Sequence, residues 1–287
     1  MTQDAFLAPG LYLVATPIGN LEDITLRALR VLRSADLIAC EDTRHTARLL
    51  SHYSISTPTI SYHEHNERER AAELGRRLER GERIALVTDA GTPGVSDPGY
   101  RLVQRAIELG LPVVAVPGPS ALIAALVASG LATDAFHFGG FLPARSGARR
   151  TLLQQLAGRP ETLAFYEAPH RIVDVLEDVV ATLGPDRRVV IARELTKVHE
   201  ELLRGAAGEV LSALKRRQPV KGEITLLIAR AEADAARPAH QSLRRQLAAI
   251  MRDEHLDEKS ALKKLAKVTG RSKSDLYREL QRETGNL

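Results

Sequence analysis

Ile84-Ala85-Leu86-Val87, followed after Thr88 by Asp89-Ala90-Gly91-Thr92-Pro93-Gly94-Val95-Ser96-Asp97-Pro98-Gly99, is the stretch that decides the fold. The four apolar residues read as a buried strand, because the run is short and bounded by turn residues instead of spaced at helical intervals. The next eleven residues hold three glycines, two prolines and two aspartates. A helix resumes at Tyr100-Arg101-Leu102-Val103, with Asp97 expected as its cap and Pro98 at its first position. Strand, glycine-rich loop and capped helix describe the carboxyl edge of an open α/β sheet, where backbone N–H groups converge on a ligand. Turning the chain does not require that many glycines and prolines, so the loop is read as a ligand site.

Working outward, the same rhythm repeats. Strands are expected at 11–16, 36–40, 59–62, 84–87 and 111–116, separated by helices that start near Ile24, Thr46, Arg68 and Tyr100. Asp23 is the expected cap of the first helix. Five strands alternating with helices imply a parallel sheet covered on both faces. The loops after these strands then crowd one edge: Thr16-Pro17-Ile18-Gly19-Asn20, Glu41-Asp42-Thr43-Arg44, His63-Glu64-His65-Asn66-Glu67, 89–99 and Pro117-Gly118-Pro119-Ser120. Beyond Leu131 further strands at 162–166, 188–192 and 223–228, with a helix from about His170 to Leu183, make a second α/β unit. The expected organisation is an α/β protein with a first domain over 1–120, a second over 121–232, and the active cleft between their sheets. An alanine-rich linker leads to a basic helical tail over 238–287, where two helices around Thr269-Gly270-Arg271-Ser272-Lys273 have a helix-turn-helix outline.

Composition narrows the function. Cys40 is the single cysteine, which excludes a disulfide framework and a thiolate metal cluster and fits a reducing cytosol. No signal peptide and no bilayer-length apolar run is read from the chain. The net charge is +4, and residues 238–287 carry eleven Lys/Arg against seven Asp/Glu, so the tail accounts for that excess. A neutral body with a basic appendage points to an anionic partner. The first loop lacks the G-x-G-x-x-G glycines and no P-loop is present, which argues against dinucleotide and nucleoside triphosphate chemistry. His63, His65 and Glu64 lie on a charged flank without a cysteine partner, so no metal is expected.

The ordered motifs are more specific than any of these features. Ala-Thr-Pro-Ile-Gly-Asn-Leu-Glu-Asp-Ile-Thr at 15–25, Glu-Asp-Thr-Arg at 41–44, His-Glu-His-Asn-Glu at 63–67 and the 89–99 loop are followed by Val-Pro-Gly-Pro-Ser-Ala at 116–121. Gly-Phe-Leu-Pro at 140–143, Tyr-Glu-Ala-Pro-His-Arg at 166–171, Arg-Glu-Leu-Thr-Lys at 193–197 and Lys-Gly-Glu at 221–223 complete the series. This set resembles the tetrapyrrole methylase superfamily, and within it the branch that methylates small-subunit ribosomal RNA on a ribose 2′-oxygen. Gly91-Thr92-Pro93 stands where corrin-pathway members carry Gly-Asp-Pro, which argues against a small tetrapyrrole substrate. A ligand-sensing nucleic-acid-binding regulator is the remaining reading from another class.

The resemblance implies S-adenosylmethionine bound between two domains of a cytoplasmic homodimer that acts on 16S ribosomal RNA of the small ribosomal subunit, at a decoding-site cytidine. Carried over motif by motif, the cofactor residues are Ile18, Asp89, Ala90, Gly91, Thr92, Pro93, Val95, Ser120, Ala121, Ala168 and Gly222. Because the hydroxyl must lose its proton during transfer, a base is expected nearby. Glu41, Asp42, His63, Glu194 and Lys197 are the candidates, with Glu41 or Asp42 on one wall and Lys197 on the other preferred. Arg44, Arg145, Arg149, Arg171 and the tail are the expected RNA contacts, and phosphate contacts make binding salt-sensitive.

Overall fold

The computed structural model describes residues 7–217, 219–231, 247, 250–251, 257–269 and 276. The first sheet contains β1 (Gly10–Val14), β2 (Leu37–Cys40), β3 (Thr59–Ser61), β4 (Arg83–Val87) and β5 (Val113–Val116). All pairings are parallel and the order is β3-β2-β4-β1-β5. Four helices cover it: α1 (Leu26–Ser34), α2 (Thr43–His52), α3 (Glu67–Glu79) and α4 (Tyr100–Glu108). Alternation along the strands divides the core into two layers. Val14, Ile38, Cys40, Ala85 and Val87 pack with Ala28, Leu32 and Leu50 of α1 and α2. Leu11, Ala39, Ile84 and Leu86 pack with Leu74 and Leu78 of α3 and Leu102 of α4. With β4 between β2 and β1, the loops leaving these three strands are neighbours at one edge.

The chain then passes through α5 (Ala121–Ser129) into a second five-stranded sheet. Its strands are β6 (Phe136–Phe141), β7 (Thr162–Glu167), β8 (Arg188–Arg193), β9 (Glu201–Ala206) and β10 (Ile224–Ile228), in the order β6-β7-β10-β8-β9. Only β6 and β7 are parallel; the other pairings are antiparallel. The helices α6 (Ser146–Leu156), α7 (Ile172–Leu183) and α8 (Ala207–Lys215) complete this part. Helix α5, apolar almost all round, buries Leu122 and Ala125 against Ala164, Val190 and Leu227 of the sheet. Both edge strands escaped the sequence reading. Two glycines interrupt β6, and β9 has no fully buried residue to mark a period.

Two expected caps are corrected. Thr25, not Asp23, caps α1, its hydroxyl accepting from Ala28 N at 3.0 Å, because residues 21–23 form a 3-10 turn capped by Asn20. Asp97 does not cap α4, which starts at Tyr100 with Gly99 at the cap position and no side-chain cap bond of its own. The orphan N–H groups there find Glu67 of α3 instead: Gly99 N and Arg101 N donate to Glu67 Oε1 at 3.2 and 3.3 Å.

Both sheets fall in one compact unit, residues 1–155 and 161–229, and a second unit comprises 156–160 and 230–287. Within the second unit, α9 (Glu258–Thr269) is capped by Asp257, whose Oδ1 accepts from Ser260 N at 3.1 Å. Its Ala261, Leu262 and Leu265 cluster with Leu247 and Leu276. The remainder of the expected helix-turn-helix, including the turn at 270–273, lies outside the described residues, as does the linker beyond Ala231. No helix of the described residues is long and apolar enough to cross a membrane.

Candidate active site

The first and central loops are stitched together. Thr16 N donates to Gly91 O at 2.9 Å and Gly91 N returns a bond to Thr16 O at 3.0 Å. Thr16 Oγ1 adds a bond to Thr88 O, and Thr92 Oγ1 reaches Pro119 O at 3.2 Å. Gly91 has φ +84, and a Cβ built there would lie at an ordinary 3.4 Å from Ile18 Cγ2. Backbone conformation, not crowding by the protein, is therefore what requires glycine at this position.

The opposite wall comes from the second sheet. Glu194 and Thr196 adopt left-handed backbone conformations, with φ of 52 and 65, where non-glycine residues carry strain. A lattice of bonds holds them. Glu194 N donates to Glu223 O, Glu223 N donates to Glu194 Oε1, and Asn20 N of the first loop donates to Thr196 Oγ1. Gly19 lets that loop come close, since a Cβ there would sit 2.4 Å from Lys197 Cγ. Lys197 Nζ bonds Glu194 Oε1 at 2.8 Å and Glu223 Oε2 at 3.0 Å. Burial opposes the ammonium, but the two carboxylates outweigh it and hold its pKa above the ordinary value. Lys197 is thus a fixed cation.

Between these walls lies a cavity of about 390 Å³. Ile18, Ala90, Gly91, Thr92 and Val95 line it from the first sheet, and Ser120-Ala121 from the start of α5. Ala168 and Gly222 meet them from the second sheet, as do Ala192 and Leu195. Nine of the eleven residues carried over from sequence are therefore gathered in one place. Asp89 borders a neighbouring cavity of about 370 Å³ with His45, Arg48 and Lys197, while Pro93 lines neither. Apolar walls with backbone groups between them suit an adenine and a methionine chain. Glu167 also lines the cavity; it is 3% exposed and its buried Oε2 has no partner among the described residues, an acceptor that a bound donor group would satisfy.

The acids separate into distinct roles. Asp42 caps α2, its Oδ1 accepting from Arg44 N at 2.8 Å, and it pairs with the Arg44 guanidinium. Those bonds hold its pKa far below the carboxylate range. Glu41, just after β2, is half-buried, and burial, reinforced by the charge of Asp89, raises its pKa. Glu41 lines neither cavity directly. Asp97, which sequence reading assigned to a cap, lines the larger cavity instead. Burial, then the charges of Glu41 and Asp89, push its pKa up to about 7. A hint lay in the sequence, because Ser96-Asp97-Pro98 sits two residues too early for a cap on Tyr100.

The four arginines also divide. Arg44 and Arg145 are exposed. Arg149 is not: it is 4% exposed, bonded through Nε to Asp178 Oδ2 at 2.7 Å and through Nη1 to the Pro143 and Ala144 carbonyls. Its expected RNA contact is therefore corrected to a buried ion pair. Arg171 spends Nη2 on the Leu142 and Pro143 carbonyls and faces Glu167, so it supports the cavity wall more than the surface. Tyr166 and Phe141, in edge contact and both lining the cavity, were not picked out individually from sequence.

A family model described as Tetrapyrrole (Corrin/Porphyrin) Methylases matches residues 10–211, and the chain belongs to this family of methyltransferases. More particularly, it is 49% identical over 275 residues to a Mesorhizobium japonicum protein named Ribosomal RNA small subunit methyltransferase I, covering 96% of this chain and 92% of that one. A protein of the same name from Escherichia coli O157:H7 is 46% identical over 276 residues, covering 96% of each. Among solved structures, uroporphyrin-III C-methyltransferase from Thermus thermophilus complexed with S-adenyl homocysteine shares the fold. The TM-score is 0.54 at 22% identity, over 77% of this chain and 97% of that one.

Proposed function

We propose that this chain methylates the RNA of the small ribosomal subunit, using S-adenosylmethionine held in the 390 Å³ cavity, and that the acceptor is the ribose 2′-oxygen of a decoding-site cytidine. The observation that carries this reading is the likeness to both named relatives over 96% of the chain, tail included. The cavity supports it through the walls and the unpartnered Glu167 oxygen described above. When bound, the cofactor supplies an electrophilic methyl group, which leaves alignment and proton removal to the protein. Ile18 and the 90–95 loop form one wall for it, and Leu195 and Gly222 the other. Lys197, fixed between Glu194 and Glu223 at the rim of the second cavity, holds that wall in place. Arg44 and Arg145 serve as exposed phosphate contacts. The enzyme works in the cytoplasm as a homodimer on the assembled particle.

The test is incubation with labelled S-adenosylmethionine and small ribosomal subunits from cells lacking this protein, followed by mass-spectrometric mapping of the RNA. One added methyl group on a decoding-site ribose is expected. Label on a precorrin and none on the particles would replace this reading with small-macrocycle methylation.

A further inference from the structure

The carboxylates that line the larger cavity are Asp97, Glu167 and Glu223. Glu223 binds Lys197, and Glu167 accepts from Ala168 N at 2.8 Å and faces Arg171 through Oε1, which leaves its Oε2 for a bound donor group. Asp97 lines the cavity without an ion-pair partner among the described residues, and the charges of Glu41 and Asp89, from the ends of β2 and β4, act on it. Glu67 supplies the helix-terminal bonds that Asp97 would otherwise make, so the fold has no use for this carboxyl as a cap. We infer that Asp97 is the group that takes the proton from the acceptor hydroxyl, with Glu41 and Asp89 as positioning residues that keep its carboxyl ready. This inference rests on the proposed methyl transfer to a ribose hydroxyl.

The surroundings fit the task. The charges of Glu41 and Asp89 act on Asp97, which acts in turn on the Tyr166 phenol of β7, while His63 acts on Glu41. Burial first, and then the like charges of Glu41 and Asp89, bring Asp97 to about 7, where a general base is both available and strong enough. A sulfonium entering the same cavity favours the ionised carboxylate, so donor binding itself arms the base. In the transfer the O–H proton passes to an Asp97 carboxylate oxygen as the O–C bond forms. The C–S bond breaks with its electron pair left on sulfur, and the proton returns to solvent from Asp97 afterwards.

Two measurements test this. Calorimetry of the full chain at pH 7, in buffers of different ionisation enthalpy, reads protons released on ligand binding. S-adenosylmethionine should release about half a proton, S-adenosylhomocysteine, whose sulfur is neutral, close to none. Asp97→Asn should abolish the release while changing donor affinity only a few-fold. Undiminished release in that variant overturns the inference, whatever the acceptor proves to be. The second measurement is the pH profile of kcat/KM on small ribosomal subunits. With donor bound, an acidic limb below the ligand-free Asp97 value is expected; Glu41→Gln, which removes a like charge, should move it down further by about one unit. Asp97→Asn should lower kcat by about 100-fold or more. A limb that stays in place in Glu41→Gln rules Asp97 out. Wild-type enzyme that leaves every particle unmethylated defeats the acceptor reading alone, since proton release still decides the charge of Asp97.

Discussion

Thr16 and Gly91 exchange backbone hydrogen bonds in both directions, at 2.9 and 3.0 Å, and so join two loops that are 75 residues apart in the chain. The bridge turns the first and central loops into one surface and fixes Ile18 at the cavity wall. Each loop alone carries several exposable N–H groups and would fray; paired, they present a preformed site.

Gly91→Leu tests that surface. At φ +84 a leucine is strained by about 1–2 kcal/mol, at a position that lines the cavity beside Ile18. Affinity for S-adenosylmethionine, measured by calorimetry, should fall at least about tenfold, a loss near 1.4 kcal/mol. The melting temperature should drop by only a few degrees. Wild-type affinity in this variant would remove Gly91 from the cofactor wall.

Asp97 ties stability to the site. Its folded pKa, about 7, lies above the ordinary carboxylate value, so the native state binds the extra proton between roughly pH 4 and 7. Stability from this group therefore falls as pH rises through that window. Asp97→Asn should stabilise the fold at pH 8 by on the order of 2 kcal/mol, with a higher melting temperature there, and leave stability unchanged at pH 4. Thermal unfolding at the two pH values checks this, and a variant less stable than wild type at pH 8 contradicts the strained-carboxylate account.

What the sequence conveys about this molecule follows from period and punctuation. The first sheet was legible because its central strands, Leu37-Ile38-Ala39-Cys40 and Ile84-Ala85-Leu86-Val87, are apolar on both faces and each ends at a cluster of turn residues. Edge strands β6 and β9 lack that signature, one carrying Gly139-Gly140 and the other Arg204-Gly205. Cavity-lining positions such as Ile18, Gly91 and Ser120 came from ordered motifs. The role of each acid did not, because it depends on partners distant in the chain. Asp42 pairs locally and looks the same from sequence as Asp97, whose freedom is decided by Glu67, thirty-two residues away from Gly99.

Lys197 and Glu194 make a pH-dependent contribution of the opposite sign. The Lys197 bond, against a smaller opposing effect of burial, holds Glu194 below its ordinary pKa. That stabilisation is present above the unfolded glutamate value of about 4.3 and is lost as pH falls through the folded one. Lys197→Met should cost about 1 kcal/mol at pH 7, a figure suited to a partly exposed pair, and less at pH 3. Denaturant midpoints at both pH values would show it; an equal cost at pH 3 would mean that lost packing, not charge, is what the substitution removes.

Arg149 and Arg145 lie four residues apart and should respond oppositely. Arg149 is buried against Asp178, with Nη2 2.6 Å from Oδ2, and Arg150 and Ser146 complete the shell around that acid. Burial opposes the Asp178 charge, but bonds from Arg150, Ser146 and Arg149 outweigh it and leave its pKa lowered. Arg149→Ala leaves Asp178 to Arg150 and Ser146 alone and should cost about 2–3 kcal/mol. Any fall in particle binding should then track the fraction unfolded. Arg145→Ala should leave the melting temperature within about a degree, because surface substitutions rarely cost more than about 0.5 kcal/mol. Its effect should appear in particle affinity, with the slope of log affinity against log salt reduced by about one. Filter binding across a salt series, run beside thermal unfolding for both variants, separates the two. A reduced salt slope in fully folded Arg149→Ala would return that residue to the RNA-facing surface.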